Sequence, residues 1–260
     1  MIAETEAVVL HAMPYGDTSK IVTLYTKRYG KLKVIAKGAR GEKNKFGASM
    51  EPLSVSSVIL YKKEHRDLHL LSKSETVLPL HRIQQDTDRL FTGLALIELT
   101  AMVMHDEHED AGVYALLVDS LRALDAADRN AVNVLLTYTV KLFGHFGFGL
   151  DLSRCAVCGR DVTAGELPFV LLRSSDGTVI CDRCHADGHT NGQRIDGGAF
   201  RSLQFFRQCA VGSCTSLTLP PAAKDRILAA LQTYLQYHVE GARTLRSLSL
   251  LYTATEQRPT

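Results

Sequence analysis

Four of the six cysteines fall in two pairs of identical spacing, Cys155-Ala-Val-Cys158 and Cys181-Asp-Arg-Cys184, with 22 residues between the pairs. Two CxxC pairs so separated can bring four thiolates to the corners of a tetrahedron, which is what Zn²⁺ accepts in a closed site. Gly159 suits the tight turn whose amides approach the sulfurs. Phe169–Leu172 and Thr178–Ile180 read as the short strands of a zinc ribbon, with Asp176-Gly177 as the hairpin turn between them. Four protein ligands leave no open position for an activated water, so the expected metal contributes stability and no catalysis. Buried core cysteines or a redox pair are the alternative. His185 and His189 lie close enough to replace a thiolate but read as bystanders, and Cys209 and Cys214 read as unliganded.

The second chemical signal is electrostatic. Residues 20–45 hold nine Lys/Arg against the single acid Glu42; six of them, Lys31, Lys33, Lys37, Arg40, Lys43 and Lys45, follow one another closely. The formal charge of the whole chain is only +2, but residues 1–80 carry 13 Lys/Arg against 8 Asp/Glu, and the remainder carries 17 against 20. Such a local excess is the footprint of a polyanion-binding module, and a solvated lysine face is the bland alternative. Gly38, Gly41 and Gly47 would let the backbone approach a phosphate ribbon, and the interleaved Tyr25, Tyr29 and Phe46 offer ring faces for unpaired bases.

Motifs for catalysis are missing. No G-x-x-x-x-G-K-[ST], G-x-S-x-G or H-E-x-x-H occurs. His105-Asp106-Glu107 matches half of a zinc-deaminase signature, but the other half needs P-C-x-x-C, and here Cys155 follows Arg154 while Cys181 follows Ile180. His105, Glu107 and His108 therefore read as a polar helix end.

These residues must be positioned by two kinds of element. The first 80 residues have the short alternating runs of strands, at Glu6–Met13, Ser19–Thr26, Gly30–Ala36, Pro52–Tyr61 and Leu68–Ser74, joined by Gly, Pro, Asp and Lys-rich links. Five short strands in so few residues suit an OB-like closed barrel, which removes sheet edges. From Leu80 the period becomes helical. Stripes run through Leu90, Leu94, Ile97, Ala101 and Met104, through Val113 to Leu124, and through Leu135 to Phe146, where Gly144, Gly147 and Gly149 end the third helix. Helical patterning resumes at Ala199–Cys209 and Ala222–Val239, the latter started by Pro220-Pro221. The expected fold is α+β with two domains: an OB-fold β-barrel at 1–80 that binds DNA, then an α-helical domain at 81–260 with an inserted four-cysteine zinc module at about 150–190. The N-terminus lacks a secretory signal and no stretch is apolar enough for a membrane span, so a cytoplasmic chain with reduced thiols and no membrane role is expected.

Taken in order, Tyr29-Gly30-Lys31, Lys37-Gly38-Ala39-Arg40, Pro52-Leu53 and the glycine-rich helix end running into the CxxC pairs resemble the RecO family of bacterial recombination mediators. The resemblance implies an N-terminal OB-fold, a helical domain with a zinc module, and no enzymatic turnover. It further implies binding of single- and double-stranded DNA, annealing of strands coated by single-stranded-DNA-binding protein, and work with RecR, often with RecF, to load RecA on the nucleoid. By that likeness Lys37 and Arg40, with Lys31 beside them, become phosphate contacts, and Cys155, Cys158, Cys181 and Cys184 match the zinc-bearing members. The family also docks the acidic, apolar C-terminal tail of the single-strand-binding protein on its helical domain. Two other readings stand beside this one: a nucleic-acid-modifying enzyme that uses the ribbon for recognition, and a structural adaptor whose basic loop is merely solvated.

Overall fold

β-Branched and aromatic residues alternating with polar ones produce five strands in the first 80 residues: β1 (Ile2–Tyr15), β2 (Ser19–Thr26), β3 (Gly30–Ala36), β4 (Val55–Tyr61) and β5 (Leu68–Leu78). They are seen in a computed structural model that describes residues 1–62 and 66–248. The strands close in the order β1-β2-β3-β5-β4, with β4 returning to β1. Four ladders are antiparallel; in the fifth, Lys33, Val34 and Ile35 of β3 run parallel to Leu68, His69 and Leu70 of β5. The result is the expected OB-like barrel. β4 begins at Val55 rather than at Pro52, because proline cannot donate to a ladder and Leu53 turns the chain at φ +73°.

The interior is filled by inward residues such as Val22, Leu24, Leu32, Val34, Val58 and Leu60. The link between β3 and β4 closes the filling from one side: Ala39, Phe46 and Met50 are buried in the same cluster, around a 3₁₀ turn at Gly47–Met50. Phe46 is thus part of the core and cannot stack on a base. Tyr25 is equally hidden, on the outer side, where its ring lies 6.2 Å from that of Tyr114 and its hydroxyl donates to the Asp110 carbonyl at 3.1 Å.

Two helices follow, α1 (Thr87–Val103) and α2 (Ala111–Ala126). Asp86 caps α1 by accepting from the Arg89 amide. The predicted stripe of α2, from Val113 to Leu124, is buried. Compactness divides the chain elsewhere than at the change of periodicity near residue 80: residues 1–126 and the described residues from 245 on form one unit, and residues 127–244 the other. The return of the chain is fastened by Glu98 of α1, whose carboxylate accepts from the amides of Arg246 and Ser247 at 2.9 and 3.0 Å.

The second unit is organised on α3 (Val132–His145), buried at every residue from 131 to 140. Its buried Asn133 is satisfied by donating to the carbonyls of Cys214 and Leu217. A three-stranded antiparallel sheet follows, from β6 (Phe169–Leu172), β7 (Val179–Cys181) and β8 (Gln193–Asp196) in the order β7-β6-β8, with the short α4 (Asp182–Ala186) between β7 and β8. β6, β7 and their turn at Gly177, φ +69°, match the expected ribbon. β8 escapes a sequence reading because only Ile195 of its four residues is buried, too little to set a period. α5 (Gly197–Gln208) and α6 (Pro221–His238) complete the unit. No helix among the described residues is long and apolar enough to cross a membrane.

Candidate metal centre and basic surface

The first cysteine pair sits on a tight turn. The Cys155 amide donates to the Arg160 carbonyl at 2.8 Å, and the Gly159 amide donates back to the Cys155 carbonyl at 2.9 Å, a turn that Gly159 completes at φ +71°. The second pair straddles the end of β7 and α4, so that Cys181 and Cys184 face the turn, and the Cys181 amide donates to the Cys155 sulfur at 3.3 Å. All four sulfurs lie within 4.8 Å of one another, with Cys155–Cys184 and Cys158–Cys181 each at 3.8 Å. Cys158 is exposed and the other three are buried. Burial alone would push the Cys155 thiol up, but the amides of Cys158, Cys181 and Val157 together outweigh it and bring it down to about 6. Burial pushes the thiols of Cys181 and Cys184 up. A group of four convergent sulfurs, one already favouring thiolate, could hold a metal ion.

Neither nearby histidine joins this cluster. The His185 ring meets Phe169 edge-on at 5.3 Å, and its Nδ1 lies 3.4 Å from the His189 carbonyl. Cys209 and Cys214 lie outside it too, and burial pushes the Cys214 thiol up to about 11. His105 and Glu107 sit far along the sequence from the sulfurs, in a loop after α1. There the Glu107 amide donates to the Lys31 carbonyl at 3.0 Å, and its carboxylate takes Lys62 at 2.8 Å and His69 at 3.6 Å. The hydrogen bond from Lys62 holds Glu107 below the usual carboxylate range. Gly30 is forced by the same loop: at φ +63°, a Cβ there would stand 2.2 Å from the His108 carbonyl oxygen.

The basic residues separate into two kinds. Lys31 is committed inward, its ammonium donating to the Ala101 carbonyl at the end of α1 at 3.0 Å and meeting Asp106 at 3.2 Å, with the side chain 17% exposed. It neutralises a helix C-terminus and does not face solvent as a phosphate contact would. Lys45 donates to the Ser72 carbonyl at 3.1 Å and lies over the Phe46 ring, and Arg40 donates to the Gly16 carbonyl at 3.1 Å, but both remain exposed. Lys33, Lys37 and Lys43 are exposed and have no hydrogen-bond or ion-pair partner among the described residues. Alternation along β3 puts Lys31, Lys33, Ile35 and Lys37 on one outer face, since Leu32, Val34 and Ala36 point into the barrel; the end of α1 and Asp106 set Lys31 apart. A groove of about 490 Å³ opens beside them, lined by Ile35, Lys37, Tyr61, Arg66, Leu68, His69 and Leu70. Tyr61, Arg66 and Leu70 carry no local sequence signal; only the parallel pairing of β3 with β5 brings them to the basic strand.

Comparison with known proteins covers the whole chain. Residues 1–80 match the family profile described as "Recombination protein O N terminal", and residues 84–248 match "Recombination protein O C terminal". The DNA repair protein RecO of Salinibacter ruber is 32% identical over 260 residues, spanning 100% of this chain and 96% of the relative. Those of Chloroherpeton thalassium and Exiguobacterium sibiricum are 28% and 27% identical, spanning 95% and 96% of this chain and 96% of each relative. With both terminal profiles matched in order and a relative aligned from end to end, the chain belongs to the RecO family.

Proposed function

We propose that this protein is a non-enzymatic, DNA-binding mediator of recombinational repair. It anneals complementary strands coated with single-stranded-DNA-binding protein and, with RecR and often RecF, assists the loading of RecA at the nucleoid. The observation that carries this reading is the set of exposed lysines Lys33, Lys37 and Lys43, without a partner among the described residues, on an OB-like barrel, joined by the exposed Arg40 and Lys45. Two like-charged strands repel, and a basic surface that screens both raises their encounter rate while base pairing supplies the specificity. Nothing in this scheme consumes ATP or requires base readout. Lys31 is left out of the DNA face, since its charge is spent on α1 and Asp106.

The ion at the four cysteines is Zn²⁺ in a structural role. Sulfurs about 2.3 Å from a central zinc in a regular tetrahedron stand about 3.8 Å apart, and the Cys155–Cys184 and Cys158–Cys181 sulfurs here are each 3.8 Å apart. Zinc, when bound, ties the turn at Cys155–Arg160 to β7 and α4 without an open position for substrate. The acidic, apolar tail of the single-strand-binding protein docks on the helical part of the chain.

The test is fluorescence-monitored annealing of two complementary oligonucleotides coated with single-stranded-DNA-binding protein, without ATP. Acceleration that is lost in Lys37→Ala/Arg40→Ala supports the reading. No acceleration by folded, metal-loaded protein would return it to a structural adaptor, and turnover of a nucleotide or nucleobase would favour an enzyme.

A further inference from the structure

The pairing registers align six side chains in one row across the barrel. Met13 stands opposite Ile21, Ile21 opposite Ile35, Ile35 opposite Leu70, Leu70 opposite Tyr61, and Tyr61 opposite Ile2. Residues directly opposite one another share a face, and the chain neighbours Ala3, Val22, Val34, Leu60 and Leu71 fill the interior, so the row lies on the outer surface. Ile2, Met13 and Tyr61 are 66%, 47% and 43% exposed, and Ile21, Ile35 and Leu70 are half-buried. A contiguous, partly exposed apolar row on the outside of a barrel marks a contact surface.

The surroundings of the row say what kind. The groove between Ile35, Leu70 and Tyr61 is also lined by Lys37 and Arg66, and no acidic side chain among the described residues lines it. Two residues along β3 on either side of Ile35, on the same face, stand Lys33 and Lys37. Lys33, Lys37 and Arg66 are exposed and have no hydrogen-bond or ion-pair partner among the described residues. A partner that presents apolar faces along its middle and negative charge along its flank fits this pattern. Unpaired bases on a phosphodiester backbone are such a partner. Adjacent strands lie about 4.8 Å apart, so the row from Ile21 to Tyr61 spans about 14 Å, the length of about four stacked nucleotides.

We propose that this row is the floor on which the unpaired bases of a single strand lie, crossing the barrel strands, with Tyr61 stacked on a base and Lys33, Lys37 and Arg66 holding phosphates. The proposal rests on the DNA-binding reading above and adds to it a path and a preference. In a duplex the base faces are stacked inside and only the backbone reaches the lysines, so the apolar row discriminates unpaired from paired DNA.

The chain contains no tryptophan, so Tyr61→Trp places a single reporter in the row. The full-length variant is titrated with oligo-deoxythymidine and with a blunt hairpin duplex, while anisotropy of labelled DNA records binding independently. Tryptophan emission is expected to fall on saturation with the single strand and to stay unchanged with the duplex. Tyr61→Ala is expected to weaken single-strand binding about tenfold, in line with one lost base–aromatic stack, with duplex affinity and salt dependence as in the parent; Tyr61→Phe restores the affinity. Saturating single-strand binding without a change in emission, or equal weakening of single-strand and duplex affinity in Tyr61→Ala, would overturn the path and leave DNA binding standing. Absence of DNA binding in the parent protein would instead strike the reading beneath it.

Discussion

Replacing Lys33, Lys37 and Lys43 together by alanine isolates the electrostatic part of DNA binding. None of the three has a partner among the described residues, so their removal leaves no buried charge and breaks no ion pair. Each lysine that neutralises a phosphate of a single strand contributes about 0.7 to the slope of log affinity against log salt. Loss of three such contacts makes the slope shallower by about 2, so that over a roughly fourfold rise in salt the variant loses about 20-fold less affinity than the parent. Fluorescence anisotropy with an oligonucleotide across a salt series measures this directly, and thermal melting confirms that the fold is unchanged. The contrast is Lys31→Ala, which removes a charge-assisted hydrogen bond to the last turn of α1. It is expected to cost about 1–2 kcal/mol of stability and to leave the slope alone. A triple variant with the parent's slope, or a Lys31→Ala variant that melts normally but binds with a shallower slope, would refute the division of the lysines into two kinds.

Gly30→Ala should destabilise the first unit by about 2 kcal/mol or more, because the new Cβ meets the His108 carbonyl and the backbone is left-handed there; urea unfolding that matches the parent would contradict it. Cys184→Ser is expected to abolish stoichiometric metal content and expose residues 150–190 to limited proteolysis, while DNA affinity of the barrel persists. Asp196→Ala removes the cap of α5, an acceptor for the Ala199 amide and a partner of Arg226 at 2.7 Å, at a cost of about 1 kcal/mol near neutral pH. The Ala199 amide, against some burial and with help from Arg226, holds the Asp196 carboxyl below its usual range. The stabilisation is therefore present above the ordinary carboxylate pKa of about 4 and lost as pH falls through the lowered value. The melting difference between parent and Asp196→Ala should accordingly be constant near neutrality and shrink in acid.

Where structure depends on local pattern, the sequence is a faithful guide. β2 and β3 begin and end where alternation and turn residues place them, at Ser19–Thr26 and Gly30–Ala36. The spacing of the CxxC pairs is enough to expect the sulfur cluster, since four ligands on two short turns need only one hairpin to meet. Non-local contacts are where reading stops. Alternation puts Tyr25 on the face opposite Val22 and Leu24, but nothing near it announces that Tyr114 and Asp110 will cover it. Phe46 sits among lysines and glycines in a link that reads as solvated, yet closing the barrel core requires an apolar plug and Phe46 supplies it. Lys31 differs from Lys33 only in what lies above it, the end of α1 some 70 residues later. The apolar row is invisible for the same reason: Tyr61 and Leu70 look unremarkable until register sets them beside Ile35.

The chain leaves the first unit after residue 126 and re-enters it at residue 245, which makes the second unit an insertion within the first. During synthesis the clasp on Glu98 must wait for Arg246, 148 residues further along. At about 5–20 residues per second, that wait is roughly 7–30 s. The barrel and its two helices therefore emerge first but are completed last, after the cysteine-bearing unit has had time to fold, and a nascent chain stalled before residue 245 carries a barrel whose fastening has not yet been made.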